Sequence, residues 1–525
     1  MTEPTAVPRP RASQSAPPSS SSSQIETLEA KGLVRLASVR PEIEYLFRHW
    51  LVQDAAYGSL LRQERRALHA RVGQALEELY PERRAELAAV LAMHFEQAAH
   101  TDKAIEYYLA AGNYGLERYA IREAYAAFTR AANLLPPPLP ADDEATRRRR
   151  VEVVFGRAQA GYSLLSPEEA LSALEAIVPE AEALADPELA GRVHMLIALG
   201  RLQSGEKATD PSVKRSLDRM AEIGEQIADP SLRAMPLALV GMNDVFAGEI
   251  RDGVRALEEA MPLLEGRKDS IGAAFARGAL AIGYAYLGRF EEAEAAAIRA
   301  REIAEQGDVI AKLDALIAES LVYSARGNLE AAVPLAQSCV NKAEESGATA
   351  CILASSWILG DAYHRMGRFA EARDALQRGA EVSRVVERKV WRPTLQAWLG
   401  ATAQALGVAA STDWDEALAT ARSIHNRYGE AGILAKRGEA AAARGEIEAA
   451  LADFGAAALI LEQEAARPAL ARVLRGWGDV LRTAGRAEEA APLLQRSRDL
   501  FEELGLDAEA AAVQALLAVG DDERP

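Results

Sequence analysis

The chain contains seven histidines, a residue type common in metal sites and in acid–base catalysis. A zinc site needs His, Cys or carboxylate groups at ligand spacing, such as H-x-x-x-H on a helix, and no two of these histidines are spaced in that way. The sequence therefore predicts neither a metal site nor a bound cofactor. The histidines are His49, His69, His94, His100, His194, His364 and His425.

The other reactive side chains likewise show no pattern typical of a catalytic site. The two cysteines, Cys339 and Cys351, are too few for a disulfide scaffold and suit a reducing compartment. Adjacent carboxylates such as Glu291 and Glu292 are typical of a solvated helix face. The sequence contains no nucleophile elbow, kinase signature, P-loop or glycine-rich dinucleotide loop. We therefore expect that the protein is not an enzyme.

Glycines recur at a nearly constant interval through the second half of the chain. The spacings between them are 40, 39, 40, 40, 38 and 40 residues. The sequence around the glycines recurs as well: residues 284–293 are YAYLGRFEEA and residues 363–372 are YHRMGRFAEA. A fixed period of this size is the signature of a repeat protein. The glycines are Gly248, Gly288, Gly327, Gly367, Gly407, Gly445 and Gly485.

Small residues stand at fixed distances from these glycines. Each repeat is predicted to be a helix, a tight turn and a second helix, with glycine supplying a positive φ at the turn. The small residues then let the two helices approach closely. Seven residues before the glycine stand Gly241, Ala281, Ser320, Gly360, Gly438 and Gly478, and five after it stand Gly253, Ala293, Ala332, Ala372, Ala450 and Ala490.

The pattern of small residue, x, x, Tyr, x, x, x, Gly, then Ala five residues later resembles the tetratricopeptide repeat (TPR). The resemblance covers residues 230–515 well and residues 87–230 more weakly, with a period near 40 residues where the family usually has about 34. It implies an all-α fold, a right-handed α–α superhelix of TPR-like helix pairs. A small winged-helix-like remnant is expected near the N-terminus.

A second resemblance concerns residues 24–135. Here EAKGLVRL and EYLFRHWLVQDAAYGSLL resemble the segment that joins a winged-helix module to repeats in bacterial ATP-dependent regulators and in cyclase or kinase fusions. LVRLA and IEYLF are predicted to be two short strands. That family carries a P-loop ATPase upstream, and this sequence has no G-x-x-x-x-G-K-[ST].

Composition shifts divide the chain into six predicted segments. Runs of Ser and Pro mark the leader, and LLPPPLP marks the linker. The segments are a disordered leader (1–23), a winged-helix-like remnant with linking helices (24–80), first degenerate repeats (81–135), a Pro-rich linker (136–141), the TPR-like superhelix (142–518) and a frayed tail (519–525).

Charge and hydropathy limit the expected partners. The formal net charge is −17, which disfavours binding to a phosphate backbone. No apolar run approaches the ~20 residues that a membrane-spanning helix needs, and no secretory signal is visible. We therefore expect a cytoplasmic bacterial protein that binds neither nucleic acid nor a membrane.

The concave groove of the superhelix is the predicted binding site. Tryptophan beside charged groups is a plausible anchor, and arginine is enriched in interfaces. The alternative is that Trp357 packs between helices and that the arginines form ordinary surface pairs. The predicted partner-binding residues are Trp357, Asp361, His364 and Arg365 in the Gly367 repeat, and Arg472, Arg475, Asp479 and Arg482 in the Gly485 repeat.

Two functions fit these patterns. The first is a non-catalytic TPR-type scaffold or regulatory adaptor that binds a protein or peptide in its groove. The alternative is a detached or truncated sensor part of a bacterial ATPase or cyclase signalling or transcription regulator, which binds an effector. An ATPase, a cyclase or a kinase is then a candidate partner.

Overall fold

The structure is a computed structural model that describes residues 7–8, 20–38, 44–118, 120–162, 164, 167–265, 271–305, 309–386, 391–408 and 412–519. Most of the predicted leader and all but one residue of the predicted tail lie outside these ranges. The chain forms two compact units. Unit 1 comprises residues 1–114 and 129–136, and unit 2 comprises residues 115–128 and 137–525.

Unit 1 combines a small antiparallel sheet with helices. The two strands predicted in residues 24–80 are confirmed: β2 pairs with β3, Val34 opposite Phe47 and Leu36 opposite Tyr45. The sheet order is β1-β3-β2. The elements are β1 (Val7–Pro8), α1 (Ser20–Ala30), β2 (Val34–Ser38), β3 (Glu44–Phe47), α2 (Trp50–Ser59), α3 (Arg62–Leu79), a 3-10 turn (Pro81–Arg83), α4 (Ala88–Gln97), most of α5 (Thr101–Glu117) and the end of α6 (Ile121–Leu134).

Unit 2 consists of helices throughout its described residues, apart from the turns that join them. An all-α superhelix of TPR-like helix pairs is thereby confirmed. The helices are the start of α6, then α7 (Glu144–Gly161), α8 (Pro167–Ala183), α9 (Pro187–Gln203), α10 (Pro211–Gln226), α11 (Pro230–Ala247), α12 (Ile250–Leu264), α13 (Ile271–Leu287), α14 (Phe290–Ala304), α15 (Val309–Ala325), α16 (Leu329–Ser346), α17 (Thr349–Arg365), α18 (Phe369–Val386), α19 (Arg392–Ala405), α20 (Trp414–Ser423), α21 (Arg427–Ala443), α22 (Ile447–Gln463), α23 (Arg467–Thr483), α24 (Ala487–Glu503) and α25 (Asp507–Val519).

The periodic glycines end the first helix of each pair. All seven adopt a positive φ, between 68° and 98°, as the spacing predicted. Side chains disfavour this conformation, so glycine is the residue that allows the chain to reverse within a short turn. The spacing of these glycines along the sequence is therefore the spacing of the turns.

Small residues let paired helices lie close together, which was also predicted. A Cβ atom added at Gly241 of α11 would lie 2.8 Å from the Gly253 carbonyl oxygen of α12. At Gly478 of α23, it would lie 2.6 Å from Leu494 Cγ of α24. Real Cβ atoms do not approach other heavy atoms so closely, and these positions therefore determine the spacing between helices.

Helices from separate parts of unit 2 also contact one another. The first helices of successive pairs lie side by side, and we call α11, α13, α15, α17, α19, α21, α23 and α25 the inner helices. α11 contacts α21, and α13 contacts α23. Arg251 donates a hydrogen bond to the Gln463 carbonyl oxygen at 2.6 Å. Successive turns of the superhelix therefore touch, and the inner helices face the interior between them.

Among the described residues, no helix is both long enough and apolar enough to cross a membrane.

Candidate functional site in the interior of the superhelix

Asp361 lies at the centre of the interior, on α17. Its Oδ1 accepts a hydrogen bond from Trp398 Nε1 of α19 at 2.9 Å. Its Oδ2 lies 3.4 Å from Arg365 Nη1, one turn later on α17. This carboxylate therefore joins an aromatic region on one side to a basic region on the other.

The basic region brings together helices that are distant in sequence. Arg365 donates to the Ser324 carbonyl oxygen of α15 at 2.8 Å. Arg472 of α23 donates to the Ala325 carbonyl oxygen at 2.6 Å. Glu509 of α25 reaches both guanidinium groups, with its Oε1 3.2 Å from Arg472 Nη2 and 3.6 Å from Arg365 Nη2. The cluster thus connects α15, α17, α23 and α25.

Burial and neighbouring charges both shift the pKa values of this cluster. Burial favours the neutral form of Asp361, but Arg365, Lys436 and the Trp398 hydrogen bond outweigh it and lower the pKa of the carboxyl group. Burial, together with the positive charge of Arg365, lowers the pKa of Arg472 to about 10. The carboxylate is therefore ionised at neutral pH, and so is the guanidinium.

His364 stands beside the cluster and is uncharged at neutral pH. Burial, followed by the positive charge of Lys436, lowers the pKa of the imidazole. Its Nδ1 is 3.0 Å from Thr402 Oγ1, and its ring meets Phe369 edge-on with centroids 5.2 Å apart. These contacts hold the ring in place between α17 and α19.

Trp357 lies on the aromatic side of Asp361. Its ring is tilted against Trp391 and edge-on to Trp398, with centroids 6.0 Å and 5.9 Å away. A small, partly open pocket beside it, about 40 Å³, has room for water molecules. Trp357 is therefore packed among other aromatic side chains. The full lining of this pocket is Phe246, Tyr286, Trp357, Trp391, Thr394, Trp398, Asn426, Tyr428 and Gly429.

Two buried donors in the interior have no acceptor among the described residues. They are Trp357 Nε1 and Arg472 Nε. Because buried polar groups in native proteins nearly always have a hydrogen-bond partner, we expect both donors to have an acceptor when the protein is functioning. A peptide carbonyl, a carboxylate or an ordered water would satisfy both. The described residues contain no cluster of three or more metal-ligand groups.

The predicted residues at the end of α23 do not join this cluster. Asp479 and Arg482 form a local ion pair at 2.9 Å, with side chains 46% and 31% exposed. Arg475, one turn after Arg472, is partly exposed. The interior thus brings together Trp357, Asp361, Arg365 and Arg472, with His364 at its edge.

Sequence reasoning missed Glu509 and Trp398. Glu509 follows Arg472 by 37 residues, and Trp398 follows Asp361 by the same number. Because adjacent inner helices lie side by side, a residue about one repeat later is the neighbour of the first. The separation of 37 residues is about three short of the period of the glycines, so both partners lie just under one repeat later.

Comparison with known proteins gives few sequence relatives. No protein-family model matches the chain. An uncharacterised protein of Rhizobium meliloti (strain 1021) is 30% identical over 109 residues, which is 21% of this chain and 11% of the relative. The chain thus covers about a tenth of the length of that curated relative.

Comparison of this chain with solved structures identifies its fold. A Rap protein crystallised with competence and sporulation factor superposes with a TM-score of 0.50 and 14% identity, over 69% of this chain and 99% of that one. A Pyrococcus horikoshii signal-transduction ATPase with a tetratricopeptide repeat sensor reaches a TM-score of 0.34 at 14% identity, over 93% and 60%. The fold is a TPR-like helical superhelix. At these identities, the likeness extends to the fold alone.

Proposed function

We propose that this chain is a non-catalytic TPR-type scaffold or regulatory adaptor that binds a protein or peptide partner with its inner helices. The observation that carries the proposal is the pair of buried donors, Trp357 Nε1 and Arg472 Nε, without acceptors among the described residues. A polypeptide offers a carbonyl acceptor at every residue and can satisfy both. The Rap protein of similar fold was crystallised with competence and sporulation factor, which adds support.

The proposed contact surface follows the predicted residues. Trp357, Asp361, His364, Arg365 and Arg472 contribute from the interior. Arg475, Asp479 and Arg482 extend the surface along α23 toward its C-terminal end. Charged side chains about a fifth exposed, such as Asp361 at 20% and Arg472 at 21%, are desolvated enough for strong contacts and still open to a ligand.

A second candidate function is the sensor part of a bacterial ATPase or cyclase signalling or transcription regulator. The supporting observation is the order α1, β2, β3, α2 in the residues that resemble the winged-helix junction of such regulators. In this case, the captured partner is an ATPase, a cyclase or a kinase. With either function, we expect a protein of the bacterial cytoplasm that binds neither nucleic acid nor a membrane.

The test is capture of partners from the native cell extract with the full chain as bait, read by mass spectrometry. The variant is Trp357→Ala, and the matched control is Trp50→Ala, which changes a tryptophan 65% exposed in unit 1. We expect one partner to be retained by wild type and control and lost by Trp357→Ala. Thermal melting of each bait checks that the variants are folded.

The outcomes separate the two functions. A partner of any class retained equally by Trp357→Ala contradicts binding in the interior. A nucleotide-hydrolysing or cyclase partner lost with Trp357→Ala favours the sensor function. A partner without such a domain favours the scaffold.

A further inference from the structure

Glu509 is an unusual residue of α25, the last described helix. Most of the buried surface of α25 is apolar: Ala510 and Val513 pack in a cluster with Leu494 and Phe501 of α24. Glu509 instead points into the interior, where its side chain is 17% exposed. The carboxylate therefore lies outside the apolar contact between α25 and α24.

The carboxylate of Glu509 lies between two cations from different helices. Arg365 and Arg472 both approach Oε1, at 3.6 Å and 3.2 Å. Two guanidinium groups so close together repel each other in a poorly solvated interior. Glu509 is the anion that both contact, so it favours their juxtaposition.

The same carboxylate lies against the turn that follows α15. A Cβ atom added at Gly327 would be 2.8 Å from Glu509 Oε1, and Gly327 has a φ of +84°. Arg365 and Arg472 donate to the last carbonyl groups of α15, those of Ser324 and Ala325. Glu509 therefore sits where α15 and α17 of one superhelical turn meet α23 and α25 of the next.

This junction lies in the interior in which the proposed function places the partner. The two donors assigned to that partner, Trp357 Nε1 and Arg472 Nε, are buried in this structure. A partner can accept hydrogen bonds from both atoms only when the groups around them move, and separation of successive turns is such a movement. Because repeats contact mainly their neighbours, such a change of pitch breaks few contacts besides those between turns.

We propose that α25 is an intramolecular inhibitor of partner binding, in which Glu509 holds α15 and α17 against α23 until the turns separate. This inference rests on the proposed function, because it concerns access to the same interior. It assigns α25 a regulatory role besides packing.

The test compares Glu509→Gln with Asp507→Asn in the full chain. Both remove one charge from α25, but Asp507 is exposed. The readout is hydrogen–deuterium exchange of the Asn328 amide, which donates to the Tyr323 carbonyl oxygen at 2.9 Å beside Glu509. We expect Glu509→Gln to accelerate this exchange about tenfold or more, and Asp507→Asn to leave it unchanged.

Partner capture completes the test. Relief of inhibition predicts several-fold more partner on Glu509→Gln than on wild type, and none of the increase on Asp507→Asn. Equal exchange in the two variants overturns the inference. Faster exchange without increased capture overturns the inhibitory role, while a Trp357-dependent partner leaves the proposed function standing. If Glu509→Gln does not fold, Glu509→Asp takes its place, because it keeps the charge but shortens the side chain that reaches Arg365 and Arg472.

Discussion

Tyr286 of α13 stacks on Tyr428 of α21, with ring centroids 4.2 Å apart and planes inclined by 21°. The two helices are separated by seven others in sequence, so this pair is a contact between successive turns of the superhelix. Burial raises the pKa of Tyr428 to about 12 and that of Tyr286 well above its ordinary value. Both rings therefore stay uncharged, and the contact is apolar stacking.

Removing one ring of this pair should loosen the contact between turns. Tyr428→Ala should lower the free energy of unfolding by about 2–3 kcal/mol, because a large, partly buried side chain is lost. A double-mutant cycle with Tyr286→Ala should give a coupling energy of about 0.5–1.5 kcal/mol. Urea denaturation followed by circular dichroism measures both. Purely additive losses would show that the rings do not stabilise each other.

Three glycines should respond differently to alanine. At Gly288, φ is +82° and an added Cβ would lie 2.2 Å from Leu504 Cδ2, so strain and a clash combine. At Gly485, φ is +77° and no other atom would lie within 4 Å of an added Cβ. Gly485→Ala should therefore lower the free energy of unfolding only by the cost of a positive φ, about 1–2 kcal/mol. At Gly278, inside α13, the nearest atom is 3.5 Å away, and alanine should stabilise by about 0.5–1 kcal/mol.

Melting temperatures of these three variants give the ranking. We expect Gly288→Ala to melt lowest, Gly485→Ala next and Gly278→Ala above wild type. A Gly288→Ala protein as stable as Gly485→Ala would contradict the contact between the α13 turn and Leu504.

Asp244 should make stability depend on pH. Burial, reinforced by the negative charges of Glu249 and Asp252, raises the pKa of this carboxyl group to about 6. The folded state therefore holds a proton that the unfolded state releases near pH 4, and stability contributed by Asp244 is lost as pH rises from about 4 to about 6.

Asp244→Asn should remove this penalty. We expect a gain of about 1–3 kcal/mol at pH 7 that vanishes below about pH 4. Urea unfolding of both proteins between pH 3.5 and pH 8 is the measurement. A gain that is the same at every pH would mean that proton release by Asp244 is not its cause.

Arg150 should contribute more to the free energy of unfolding than an exposed arginine that also forms an ion pair. It is 6% exposed, and its guanidinium contacts Asp142 at 2.7 Å and Glu180 at 2.5 Å. Arg150→Ala should destabilise by about 3 kcal/mol, because two carboxylates lose their partner in a poorly solvated site. Arg255 is 76% exposed beside Asp252, and Arg255→Ala should change stability by under about 1 kcal/mol. Equal effects in urea denaturation would contradict the burial of the Arg150 cluster.

The repeat pattern was sufficient to predict local structure. Gly288 and Gly367 mark turns because a positive φ is a property of one residue and its immediate neighbours. Gly241 and Gly478 mark close helix pairs because both helices belong to the same repeat. The two N-terminal strands were predicted from the short segments LVRLA and IEYLF, and the structure confirms both.

The candidate site depends on distances that the repeat does not encode. The sequence by itself determined helix, turn and helix, and the residues that separate paired helices, while the resemblance to TPRs implied which helix of each pair lines the interior. Only the tertiary structure decided that Arg472 lies beside Arg365 and that Glu509 reaches both. The physical reason is that each repeat is rotated slightly relative to its neighbour, and these rotations add up over several repeats to give the pitch of the superhelix. The pitch then determines which residues of successive turns meet.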